Sequence, residues 1–299
     1  MNENRLQVER LFDGRLHLHD GPIDLIVGAF GEDCEVELAY TAAIRRFSTI
    51  LDELCTELPQ LRRRSRSGSS VMQGAVARRM EQAVAPFAAE HFITPMAAVA
   101  GAVAEAVISA MNSGSDVSRA YVNNGGDIAL YLTGGASFVV GMIERPDRPS
   151  LFGSLTIHAA DSVRGVATSG WRGRSFSLGI ADAVTVLADC AAEADAAATI
   201  LANAVNLPGH AAIERIPANQ ISADSDLGDL PVTRSVGPLS RREIHAALDA
   251  GMEQAARLRD HGLIRAAALR LQGETRILGA ERTPTMISMC TNDRSLIHA

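Results

Sequence analysis

Residues 120–132 read AYVNNGGDIALYL, in which a polar segment with two consecutive glycines joins two apolar runs. The alternation predicts strands over Ala120–Val122 and Ile128–Leu132. Glycines have no side chain, so backbone N–H groups at Gly125 and Gly126 can approach a ligand closely. Asp127 would then begin the second strand facing that ligand. An ordinary tight hairpin explains the segment equally well, and the residues alone leave both interpretations open.

Strand-like and helix-like runs surround this segment. Further strands are predicted over Phe138–Ile143, Gly153–Ile157, Gly165–Thr168 and Ile180–Leu187. Helical spacing of apolar residues predicts helices from Val36 to Pro59, from Pro95 to Met111, over Ala191–Val205, and after the capping box of Ser240 and Glu243. Strands and helices are mixed without strict alternation, which favours an α+β fold.

The chain has 299 residues, of which 47% are apolar, and this is ample for a large core. We predict one domain over residues 1–299. It is interrupted by an Arg/Ser-rich loop at 60–70 and by a long loop, rich in Pro, Gly and Asp, at 207–239. The arginines of the first loop indicate either a solvated surface loop or a segment that contacts the phosphates of a nucleotide.

The charge balance excludes several classes of function. Twenty-eight basic and 35 acidic residues give a net charge of −7, which disfavours nucleic acid as a partner. Every basic side chain other than histidine is an arginine, because the sequence contains no lysine. A pyridoxal enzyme with its Schiff-base lysine and a P-loop nucleotidase are therefore excluded.

The compartment is predicted from the cysteines and the N-terminal residues. Cys34, Cys55, Cys190 and Cys290 form no CxxC pair, and we expect free, mostly buried thiols in a reducing cytoplasm. Residues 1–10 are polar and charged, unlike a signal peptide. The most apolar stretch, 93–111, contains Glu105 and many alanines, so no membrane span or membrane partner is expected. Alanine-rich helices make a homodimer a further expectation.

Two other segments have the side chains of a ligand site. Thr168, Ser169 and Gly170 follow a predicted strand and offer small polar groups to a phosphate or sugar, although a simple turn has the same composition. Asp195 and Thr199 lie four residues apart on a predicted helix and so share one face. A carboxylate and a hydroxyl are oxygen ligands suited to Mg²⁺. A helix-dipole role for Asp195 with a chance threonine is the alternative.

Together, these segments resemble the motifs of the ApbE-like flavin-transferase superfamily. VNNGGDI at 122–128 resembles its Asn-Gly-Gly-Asp turn, ATSG at 167–170 its following strand end, and EADAAAT at 193–199 its metal helix. Longer runs at 93–107, 175–189, 207–218 and 224–233 resemble one uncharacterised branch of this superfamily. The resemblance covers about residues 5–280.

The resemblance implies a T-fold-like domain, with helices packed on antiparallel sheets, and allows two similar halves. The activity that it implies is Mg²⁺-dependent transfer of FMN from FAD to a threonine of an acceptor protein. Asp195, Thr199 and a backbone carbonyl near Ala98 would then bind the metal. The flavin nucleotide would be bound by a set of residues drawn from three segments: Met96, Asn124, Gly125, Gly126, Asp127, Thr168, Ser169 and Gly170.

The chain departs from the transferase pattern at two places. The transferases have a lysine in the motif that corresponds to residues 97–102, which here read AAVAGA. They also have a His-x-x-Asp-Pro motif, where this chain reads SLGIADAV at 177–184. Three functions therefore stay open: FMN transfer, altered chemistry in the same pocket, for example in sulfur metabolism, and binding of a flavin nucleotide without catalysis.

Overall fold

The structure is a computed structural model that describes residues 5–66, 68, 72–143, 151–279 and 296–298. Its centre is a nine-stranded sheet in which every neighbouring pair is antiparallel, with the order β1-β2-β3-β4-β5-β8-β9-β12-β13. These strands are β1 (Gln7–Arg10), β2 (Leu16–Asp20), β3 (Ile23–Phe30), β4 (Arg119–Asn124), β5 (Asp127–Leu132), β8 (Gly165–Ser169), β9 (Ala183–Ala188), β12 (Ala266–Leu271) and β13 (Glu274–Leu278).

Helices cover one face of this sheet. Those that pack on its strands are α1 (Asp33–Leu61), α3 (Val99–Gly114), α4 (Ala191–Ala204) and α6 (Arg241–Asp260). Helix α2 (Ala75–Val84) packs on α3 and α4, and the short helix α5 (Ala218–Ile221) lies in the segment between α4 and α6. Helices α1 to α3 connect the pair β2–β3 to the pair β4–β5. Helices α4 and α6 likewise connect β8–β9 to β12–β13, so the sheet has two halves with one topology. The predicted α+β class, with helices packed on antiparallel strands, is confirmed.

The other face of the sheet is covered in its middle by a second, small sheet. This sheet consists of β6 (Ser137–Ile143), β7 (Leu151–His158) and β14 (Leu296–His298). Phe138 of β6 contacts Tyr121 of β4 edge-on, with ring centroids 5.7 Å apart. The hairpin of β4 and β5 is therefore packed on both faces, against helices on one side and aromatic residues on the other.

Two loop predictions need correction. Helix α1 continues past Pro59 to Leu61, so the first two residues of the predicted loop 60–70 are helical. Leu61 is fully buried, and its packing holds this last turn in place. The predicted loop 207–239 contains an antiparallel pair of strands, β10 (Ile213–Pro217) and β11 (Pro231–Val236), besides α5. Short strands between prolines and glycines leave too little periodicity to be predicted.

The stretch Pro95–Gly114, which ends in α3, is long and apolar enough to cross a membrane by length and composition. In the structure it packs against α1, α4 and the sheet, and Ala102, Val103, Val107 and Met111 are fully buried there. This packing in the core accounts for its apolar composition.

The expectation of mostly buried thiols is wrong for the described cysteines. Cys34 and Cys55 are exposed and Cys190 is partly buried, all three as free thiols. Cys34 and Cys55 lie on the outward face of α1, opposite the stripe that packs on the core. Cys290 lies outside the described residues.

Candidate functional site

The turn between β4 and β5 is a two-residue hairpin loop closed by the pair Asn124 and Asp127. Gly125 and Gly126 have φ angles of 67° and 114°, which side chains other than glycine rarely adopt. The Asn123 side chain accepts a hydrogen bond from the Gly126 amide, with a distance of 2.8 Å. The turn is thus a tight hairpin, as one of the two sequence interpretations held, and its glycines are required by the backbone.

This turn is attached to the start of α3 and to the end of β8. The side-chain amide of Asn124 donates a hydrogen bond to the Ala100 carbonyl at 3.1 Å. The backbone amide of Thr168 donates to Asp127 Oδ1, also at 3.1 Å. Strand β8 lies antiparallel to β5, which places Thr168 beside Asp127. The Thr168 hydroxyl is 2.9 Å from that of Thr185 on β9. The predicted segments around Asp127 and Thr168 therefore lie side by side and form one site.

Asp195 lies beside these two segments because the N-termini of α3 and α4 are in contact. Asp195 Oδ2 accepts a hydrogen bond from the Gly101 amide of α3 at 3.0 Å. In return, Glu105 Oε1 of α3 accepts from the Ala192 amide of α4 at 2.7 Å. Each helix thus supplies a carboxylate to the positive end of the other helix dipole. Asp195 does interact with a helix dipole, but with that of the neighbouring helix.

The close contact of the two helices depends on glycine. A Cβ atom at Gly101 would lie 2.3 Å from the Ala191 carbonyl oxygen, well inside van der Waals contact. Gly165 of β8 has the same function beneath α4, because a Cβ there would lie 2.1 Å from the Cys190 carbonyl. Both glycines allow α4 to pack close to α3 and β8, and Asp195 then lies near enough to Asp127 for their charges to interact.

Both aspartates of the site have a raised pKa. Burial raises the pKa of Asp127 to about 7, against the hydrogen bond from Thr168. Burial also raises the pKa of Asp195 well above its usual range, and the charge of Asp127 raises it further. Within the described residues, no arginine forms an ion pair with either carboxylate. Neither carboxylate therefore has an ion-pair partner among the described residues to offset its charge.

The remaining predicted site residues surround this pair. Thr199 follows Asp195 by one turn of α4 and is partly buried, and its hydroxyl has no hydrogen-bond partner in the described parts of the chain. Ala98 is the fully buried N-cap of α3, and Met96 lies in the short 3₁₀ turn just before it. Ser169 is the last residue of β8, and Gly170 follows it. The structure thus puts the predicted residues on neighbouring elements around one turn.

A cation is compatible with this set of donors. Carboxylate and hydroxyl oxygens are ligands of hard divalent ions such as Mg²⁺. A cation there would also offset the repulsion between the two carboxylates. In the described residues no group of three or more His, Cys, Asp or Glu side chains is close enough to bind a metal. A site at Asp195 would therefore need neutral oxygens, water or a ligand phosphate to complete it.

The loop between β8 and β9 brings residues to the site that the sequence motifs did not indicate. Asp182, only 6% exposed, accepts hydrogen bonds from Trp171 Nε1 at 3.3 Å and from Arg172 Nε at 2.7 Å. The Arg172 guanidinium stacks on the Trp171 ring, 4.3 Å from its centroid. Arg174 lies across Gly125. In the sequence, these residues could have been noticed as WRGR at 171–174, directly after the ATSG motif.

A prediction about stability follows from the raised pKa of Asp127. A carboxyl whose pKa rises from 3.8 to about 7 on folding is protonated in both states below pH 4, and it lowers the stability of the native state increasingly from pH 4 to pH 7, because the unfolded chain ionises first. Asp127→Asn keeps the acceptor for Thr168 and removes the charge. We expect the metal-free variant at pH 8 to be on the order of 2–4 kcal/mol more stable than wild type, with little difference at pH 4. Urea unfolding in EDTA at both pH values measures this.

The control for this measurement is Asp116→Asn, which removes an exposed carboxylate outside the site. It should follow the wild-type pH dependence. Equal pH dependence of Asp127→Asn and wild type would show that the Asp127 carboxylate ionises in the folded protein without cost.

Comparison with known proteins identifies the family of this chain. A family model described as AbpE bacteria matches residues 6–277, so the chain belongs to this family. The family predicted from the three motifs is thereby confirmed.

The chain is also similar to individual curated proteins and to one solved structure. A UPF0280 protein of Methanopyrus kandleri is 42% identical over 135 residues, which are 44% of this chain and 51% of the relative. A UPF0280 protein of Methanothrix thermoacetophila is 44% identical over 115 residues, 38% of this chain and 46% of the relative. The chain thus spans about half the length of the curated relatives it matches. Apo flavinyl transferase ApbE of Pseudomonas stutzeri aligns with a TM-score of 0.42 and 11% identity, over 93% of this chain and 96% of that chain.

Proposed function

We propose that this protein binds a flavin nucleotide, FAD or a close relative, together with Mg²⁺ in the site around Asp127 and Asp195. The observation that carries the proposal is this pair of carboxylates: Asp127 closes the Gly-Gly turn, and Asp195 lies near enough for the charge of Asp127 to raise its pKa. Neither has an ion-pair partner among the described residues. Two partly buried acids whose charges interact are stabilised by a proton or a bound cation. The resemblance of all three motifs to those of the flavin transferases supports a nucleotide as the second ligand.

Each group of residues has a part in this binding. Asp195, Thr199 and a backbone carbonyl near Ala98 would bind Mg²⁺. When bound, Mg²⁺ would polarise the pyrophosphate and stabilise charge on a leaving phosphate. Asn124 to Asp127, Thr168 to Gly170 and Met96 would line the nucleotide. Hydrogen bonds join the β4–β5 hairpin to α3 and to β8 and fix these residues before a ligand binds. This lowers the conformational entropy that is lost on binding.

The reaction proposed for this site is transfer of FMN from FAD to an acceptor protein in the cytoplasm, with release of AMP. A second candidate is binding without transfer. One observation favours it: Asp182, which falls in the segment corresponding to the transferases' His-x-x-Asp-Pro motif, is buried and bonded to Trp171, Arg172 and the Gln272 amide. Asp182 therefore holds a loop in place, and no lysine exists elsewhere in the chain to act as a base.

The experiment is to incubate the protein with FAD, Mg²⁺ and a lysate of the native cells, and to follow AMP release and flavin fluorescence on denaturing gels. Transfer predicts AMP and a fluorescent acceptor band, both lost in EDTA. Binding without transfer predicts that FAD is retained by the protein on a desalting column while no AMP forms. Failure to retain FAD and to form AMP would contradict both candidates.

A further inference from the structure

We infer that Arg174 contacts the phosphate groups of the nucleotide at the Gly125–Gly126 turn. The inference rests on the proposed function and assigns a residue outside the three motifs. Arg174 Nη1 lies 3.1 Å from the position that a Cβ atom on residue 125 would occupy. The guanidinium therefore covers the turn where glycine leaves space.

The charge of Arg174 is available for a ligand. The residue is exposed, and in the described part of the chain it forms no ion pair and no side-chain hydrogen bond. Arg172, two residues earlier, is in contrast committed to Asp182 at 2.7 Å. The loop thus has one arginine that anchors it and one that points to the turn.

The anchoring restricts where Arg174 can go. The Trp171 amide donates to the Ala181 carbonyl at 3.0 Å, and the Gly173 amide donates to the Gly170 carbonyl, also at 3.0 Å. A Cβ at Gly170 would lie 2.5 Å from the Asp182 carbonyl oxygen, so the two ends of the loop are in close contact. These contacts hold the loop base, and with it Arg174, beside the end of β8.

A phosphate or pyrophosphate is the ligand group that this arrangement fits. A guanidinium donates parallel hydrogen bonds to two phosphate oxygens, which gives both charge and direction. The neighbouring aspartates would repel an anion unless a cation is present. Arg174 would therefore act on the same phosphates as the Mg²⁺ that Asp195 and Thr199 would hold. In a chain without lysine, arginine is the residue that can supply this positive charge.

The test is calorimetric titration of wild type and Arg174→Ala with three probes in Mg²⁺: FAD, riboflavin and inorganic pyrophosphate. Riboflavin has the flavin ring without phosphate. Loss of one charged hydrogen-bonding contact predicts FAD and pyrophosphate affinities roughly 10-fold lower or more, with riboflavin unchanged. Arg174→Lys should recover part of the loss, because it keeps the charge without the planar fork.

The control is Arg45→Ala, which removes an exposed arginine from α1 and should bind all probes as wild type does. If wild type binds FAD and Arg174→Ala binds it equally well, the inference is wrong and the proposed function stands. If wild type binds pyrophosphate but not FAD, and Arg174→Ala loses pyrophosphate, the phosphate contact stands and the flavin ligand is wrong. If wild type binds neither, both are wrong.

Discussion

Replacing Asp195 by Asn will weaken FAD binding in Mg²⁺ roughly 100-fold, equivalent to ~2.7 kcal/mol, and remove its Mg²⁺ dependence. The amide keeps an oxygen to accept from Gly101 at the start of α3, so the contact of the two helices survives. What is lost is the negative charge that a divalent ion needs. Trp171, the sole tryptophan, lies at the end of β8 and reports binding through quenching of its fluorescence by the flavin.

The matched control for Asp195→Asn is Glu193→Gln, an equal loss of charge on the exposed face of the same helix. It should bind FAD with wild-type affinity and Mg²⁺ dependence. Unchanged binding in Asp195→Asn would remove Asp195 from the metal site and leave it only as a cap for α3.

Replacing Gly101 by Ala will destabilise the protein by roughly 3 kcal/mol or more, although alanine is the better helix former. The new Cβ would lie 2.3 Å from the Ala191 oxygen and 2.7 Å from the Ala192 nitrogen, both backbone atoms that cannot rotate away. Separation of α3 and α4 would also lengthen the hydrogen bonds to Asp195 and Glu105. A thermal melt should show a fall of roughly 6–12 °C, since each kcal/mol shifts Tm by ~2–4 °C in a domain of this size.

Gly114→Ala at the other end of α3 is the control, because a Cβ there meets only the Ala42 side chain at an ordinary 3.5 Å. It should melt at or slightly above the wild-type temperature. A Gly101→Ala protein with the wild-type melting temperature would mean that the helices can separate at no cost, and that their contact does not position Asp195.

Much of the site could be predicted from the sequence because its residues lie in short, continuous motifs. The Gly-Gly turn was readable from two glycines between apolar runs, and its positive φ angles confirm why glycine is present. Asp195 and Thr199 were readable from their helical spacing. The convergence of these segments follows from the antiparallel order of β4, β5 and β8, which local patterns do not contain.

The contacts between distant segments could not be predicted. The exchange of carboxylates between α3 and α4 joins residues more than 80 positions apart, and neither Gly101 nor Glu105 stands out in an alanine-rich helix. The function of Arg174 depends on the path of a loop that is fixed by the buried Asp182. Proline- and glycine-rich composition likewise concealed β10 and β11, whose pairing stabilises them.

Calorimetric titration of metal-stripped protein with FAD, in the presence and absence of Mg²⁺, measures whether metal and flavin nucleotide share one site. We expect one FAD per chain in Mg²⁺ and binding at least 10-fold weaker without it, since Mg²⁺ adds positive charge at the phosphates to that of Arg174. FAD binding of equal strength in both conditions, or none in either, would contradict a joint site for metal and flavin nucleotide.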